Sequence, residues 1–105
     1  MAKKYIDLRL KDIDVNGIEK VVTYKYRMGP RAAHIFLQET KMTPTPENME
    51  KLGISGLVYM IYAGCKPQHP ELTVERVWEL VDNYEIDELG EITEQIAPKV
   101  DDPNA

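Results

Sequence analysis

Apolar residues recur at every second position before Gly29-Pro30 and at helical spacing after it. In the first part, Ile6, Leu8 and Leu10 alternate with Asp7, Arg9 and Lys11, the period of a half-buried strand. Asn16-Gly17 follows between Val15 and Ile18, a dipeptide that tolerates positive φ and is a strong hairpin signal. The returning strand spans 21–28, with Val22, Tyr24 and Tyr26 on one face. Gly29-Pro30 then closes the sheet and opens a helix. A chain that changes period in this way is α+β, an N-terminal β-hairpin followed by about four helices.

The hairpin's register carries its own prediction. A two-residue turn at Asn16-Gly17, continued without a break, sets Lys11 opposite Val22 and Arg9 opposite Tyr24, with charges on the apolar face. One extra residue near Lys11-Asp12 restores Leu10 with Val22, Leu8 with Tyr24 and Ile6 with Tyr26, so a β-bulge is expected there. A lone hairpin is marginal in water, and its apolar face needs a cover.

In the first helix Ala33, Phe36, Leu37 and Thr40 share a face. Thr45 caps a second, with Pro46 at its first position and Glu47 and Glu50 near its positive end. This helix carries Met49, Leu52, Leu57, Val58, Met60 and Ile61 and is apolar almost all round from Ile54. That describes a buried central helix or one with a flank free for a partner. Gly53 and Gly56 predict a bend or a close contact. Thr73 caps a third helix with Leu72 stapled on Val77, and Val74, Val77, Trp78 and Val81 form its stripe. Asp87 caps a short fourth, with Leu89, Ile92 and Ile96 inward. The reading is one domain over 1–97 and a flexible tail over 98–105.

The chemistry-bearing residues are few. Cys65 and His69 lie close in sequence, but two ligands make no zinc site, and His34 is remote. As a nucleophile pair they lack an orienting third group, so Cys65 reads as a packed thiol. The glycines have no phosphate-loop spacing, and the carboxylates fall at helical spacing on polar faces. No catalytic residue, metal site or cofactor is assigned, and the chain reads as non-enzymatic. Residues 1–42 hold nine Lys/Arg against five Asp/Glu, and the remainder four against thirteen. The basic residues alternate with apolar ones, which is the solvated face of a strand and not a nucleic-acid arm. The apolar run from Ile54 to Cys65 is too short to cross a bilayer, and no signal-peptide core follows Lys3-Lys4. The single cysteine agrees with a reducing cytosol. Six tyrosines, one tryptophan and five methionines give a small chain much adaptable apolar surface.

The order of elements resembles a known family. Tyr24-Lys25-Tyr26-Arg27 leads into Ala32-Ala33-His34-Ile35-Phe36-Leu37-Gln38-Glu39-Thr40, and a central apolar helix ends in Tyr62-Ala63-Gly64-Cys65-Lys66. His69-Pro70-Glu71-Leu72-Thr73-Val74-Glu75-Arg76-Val77 follows, then Leu80-Val81-Asp82. Over most of residues 20–97 this is similar to the tail assembly chaperones of long-tailed bacteriophages and prophages. The resemblance implies a chaperone that binds the tape-measure protein and promotes polymerisation of the tail-tube protein around it. It also implies a homo-oligomer, made in the host cytoplasm and absent from the mature virion. It transfers no catalytic residue. It maps no partner-contact residue either; the apolar patterning puts the client surface on Leu57, Met60 and Ile61 of the second helix with the stripe of Trp78 and Val81, which are equally candidates for the core. Two other readings stand beside it: a structural tail or head-completion protein, and a small regulatory protein-binding module.

Overall fold

The computed structural model describes residues 4–96. The expected tail over 98–105 lies outside them. Strands β1 (Ile6–Ile13) and β2 (Glu19–Tyr26) form an antiparallel hairpin. Helices α1 (Pro30–Thr40), α2 (Pro46–Leu52), α3 (Ile54–Cys65), α4 (Val74–Val81) and α5 (Leu89–Ile96) follow, with a 3-10 turn at Ile86–Glu88 before the last. The chain is α+β, as its periodicity predicts.

Strand pairing gives Ile6 with Tyr26, Leu8 with Tyr24 and Leu10 with Val22, the expected register. The extra residue that sets it is not at Lys11-Asp12. Pairing runs unbroken from Ile6 to Ile13, and the adjustment is made in the turn. Gly17 N–H donates to Asp14 O at 2.9 Å, Asp14 N–H donates to Ile18 O at 3.1 Å, and Gly17 takes φ +81°. This is a three-residue loop with a glycine bulge, so the hairpin keeps a straight ladder. The Asp14 carboxylate fixes it by accepting from Asn16 and Ile18 N–H.

The apolar run of α3 makes it the hub of the helices: α1, α2, α4 and β2 all pack on it. Leu8, Leu10 and Tyr26 of the hairpin meet Val58, Ile61 and Cys65 of α3, Val77 and Leu80 of α4, and Ile92 of α5 in the main core. Each such side chain, fully buried, is worth about 1.5–3 kcal/mol. A second cluster joins Ala32 and Phe36 of α1 to Ala63 of α3. The buried face of α1 is therefore turned from the expected one: Ala32 replaces Ala33, and Leu37 is exposed. Small side chains at Ala32 and Ala63 bring the two helices together, and that closeness sets the rotation.

The second expected helix is two. Gly53, at φ 62° and ψ −133°, ends α2 and starts α3 in a conformation that residues with a Cβ rarely adopt. Thr45 caps α2 through Asn48 N–H, and Thr73 caps α4 through Arg76 N–H, as their positions predict. Leu72 and Val77 are both buried in the main core. At the last helix the expected cap moves. Glu85 and Glu88 form a reciprocal capping box around the 3-10 turn, with Asp87 inside it, and Leu89 begins α5. The longer glutamate side chains span the turn in both directions, which one aspartate cannot do.

Candidate functional site

The five residues singled out from the sequence separate onto three environments. Ile61 is wholly buried in the main core. Leu57 and Val81 belong to the same core, and each also reaches a surface depression, Leu57 with Met60 a groove and Val81 with Trp78 a separate cleft. No single site gathers them.

The groove has two adjoining lobes of about 430 and 450 Å³ that share Pro46, Met49, Met60 and Ile96. One lobe extends to Ile6, Tyr26 and Met28 across the end of the hairpin, the other to Leu57, Gly53 and Thr93. Gly53 separates α2 from α3, and Met49 of the first and Met60 of the second meet in this lining. Three of the five methionines thus line one depression. Thioether side chains reshape at little cost, which suits them to varied apolar partners. The charged side chain in its lining is Glu50. Glu47 of α2 and Glu91 and Glu94 of α5 are exposed on the two helices that flank it, with Lys51 the basic residue of these helices and paired to Glu47.

Tyr26 forms part of the wall. Its ring fills the space left by the absent side chain of Gly64, where a Cβ would overlap the ring. The residue is 2% exposed, and its hydroxyl is buried without a hydrogen-bond partner among the described residues. Burial raises the phenol's pKa, with the nearby Cys65 thiol adding to the effect. The phenol stays protonated at any physiological pH.

The second cleft, of about 260 Å³, is bounded by Ile54, Trp78, Val81, Asp82, Tyr84, Ile86 and Leu89. Ile86 is 80% exposed and Ile54 and Trp78 are partly so. The helical stripe in the sequence flags Trp78, but Ile54 and Ile86 join it only through the folding of α3 beside the 3-10 turn.

Cys65 and His69 play structural parts. Cys65 is fully buried, and burial pushes its thiol up to about 12. His69 Nε2 accepts from Lys25 N–H at 2.9 Å, and its ring stands edge-on to Tyr24 at 5.0 Å. Among the described residues, no group of three or more His, Cys, Asp or Glu is placed to hold a metal ion. Comparison of the chain with protein-family models, curated proteins and solved structures finds no match.

Proposed function

We propose that this chain is a non-enzymatic tail assembly chaperone of a long-tailed phage or prophage. It binds apolar helical segments of a tape-measure protein, keeps them soluble until the tube protein assembles around them, and self-associates. The observation that carries the reading is the groove: three methionines, aliphatic walls and an acidic flank on a small, negatively charged domain. A long apolar helical chain left bare aggregates, and a soluble partner with adaptable apolar surface prevents it. Net charge of −5 keeps such a surface in solution. The resemblance over residues 20–97 supplies the identity of the client. No helix of the described residues is long and apolar enough to cross a membrane, which agrees with action in the host cytoplasm.

Co-expression tests the reading. A tape-measure fragment made with this protein should stay in the supernatant and co-purify with it. Equal precipitation of the fragment with and without the chain counts against the chaperone.

A further inference from the structure

We propose that the outer edge of β2 pairs antiparallel with the same edge of a second copy, centred on Val21. The proposal deepens the self-association included in the preceding reading, and its surface and register come from the hairpin alone.

Along a strand, backbone groups of alternate residues point to the same side. The edge-pointing groups of this hairpin are the odd-numbered residues. Gln95 brackets Arg9 from α5, accepting from its N–H and donating to its C=O. Tyr84 Oη accepts from Lys11 N–H, and Asn83 donates to Lys11 C=O. On β2, His69 accepts from Lys25 N–H and Gln68 donates to its C=O. Side chains thus occupy the positions a third strand would take, and they do so on both edges.

The covering stops at Lys25. Glu19, Val21 and Thr23 point the same way, and among the described residues no hydrogen bond reaches their outward backbone groups. Exposed apolar side chains lie at its centre and beside it, although Glu19 and Thr23 are polar. Val21 is 59% exposed and Ile18 62% exposed, and Ile13 shares the outer face with Val21 one diagonal away. An uncovered edge with exposed β-branched residues is a template for strand addition.

The open stretch is complementary to itself. In an antiparallel pair centred on Val21, Val21 faces Val21 of the second copy and Glu19 faces Thr23. Each facing pair exchanges both of its backbone hydrogen bonds. On the outer face Glu19 of one copy lies diagonal to Lys25 of the other, extending the Asp7–Lys25 ion pair. Lys20 meets its counterpart only diagonally, and Asp12 stands directly across the hairpin from it. Sliding the register is blocked at both ends. Centring on Lys20 sets that lysine directly opposite its counterpart, and centring on Glu19 drives the second strand into the Gly17 turn; centring on Val22 sets Glu19 against the covered backbone of Lys25, and centring on Thr23 does the same with Val21. Pairing one edge antiparallel with the same edge of a second copy places a two-fold axis at Val21, the symmetry of an isologous dimer.

Sedimentation equilibrium over a concentration series tests the edge directly. The wild-type chain should show a reversible monomer–dimer equilibrium. Val21→Lys, on an exposed position, should keep the native circular dichroism spectrum and weaken the dimer by about tenfold or more. Val21→Glu should do the same, and mixing the two variants should restore dimers, because opposite charges then face each other. Wild-type protein that stays monomeric to millimolar concentration overturns the proposal. So does a Val21→Lys protein that dimerises like wild type, which would place self-association on another face. Monomeric wild-type protein would remove self-association from the preceding reading as well, but neither result touches client solubility, which tests the chaperone on its own.

Discussion

Cys65 shows how a single residue's role can be read from local sequence. It ends an apolar helix with no partner cysteine, and the fold buries it completely. Its raised pKa has a definite consequence for stability. The folded state holds the thiol proton more tightly than the unfolded chain, so this contribution is fully present below the ordinary value of 9.0. It is lost as pH rises from there toward about 12. Tyr26, raised by burial from 10.0, acts in the same sense further up the scale. The urea midpoint should therefore fall above pH 9, and Cys65→Ala should remove part of that slope. A thiol reagent at pH 8 should leave the native protein unmodified and label it in denaturant; rapid native labelling would contradict the burial. Gly64, one position earlier, was not legible in the same way. Its reason for lacking a side chain is the Tyr26 ring, and no local pattern announces a contact with a strand so far back in the chain.

The elements divide by the range of the forces that define them. Thr45, Pro46, Thr73 and Pro30 mark helix starts through local capping chemistry, and each start falls where the sequence places it. The hairpin register was legible from alternation, but the location of its extra residue was not. A bulge at Lys11-Asp12 and one at Gly17 give the same cross-strand pairs, and only the turn's own hydrogen bonds decide. The face of α1 was set by Ala63 on another helix, beyond the reach of any local periodicity. Gly53 lies between these cases: its weakening of the helix was readable, and the full separation into α2 and α3 was not. A Cβ there would meet no neighbouring atom, so the cost of a side chain is conformational alone. Gly53→Ala should destabilise by about 1–3 kcal/mol. A lower urea midpoint with unchanged helical content would show it, whereas an unchanged midpoint would mean the backbone relaxes into an ordinary helix.

At the scale of the whole molecule, three surfaces with exposed apolar side chains remain among the described residues: the methionine groove, the Trp78 cleft and the open hairpin edge. The sequence supplied members of the first two and merged them, because Leu57, Met60, Trp78 and Val81 share helical stripes that look alike until packed. Ile6, Met49 and Ile96 come to the groove from three separate elements and Met28 from the loop after β2, so no stripe could have named them. The surfaces differ in what they can hold. The groove is the larger, has flexible walls and an acidic flank, and accepts an apolar helix with basic neighbours. The cleft is smaller, and its most exposed residue is Ile86. Substitutions on half-buried or exposed positions can separate them without unfolding the chain. Met49→Glu adds a second carboxylate beside Glu50 and should cut the amount of tape-measure fragment held in solution by about tenfold, as expected for removing a central apolar contact. Ile86→Glu should leave that amount unchanged, because the cleft stands outside the groove. If the two variants exchange behaviour, with both folded by circular dichroism, the client sits against Trp78 and the methionines serve only to pack α2 on α3.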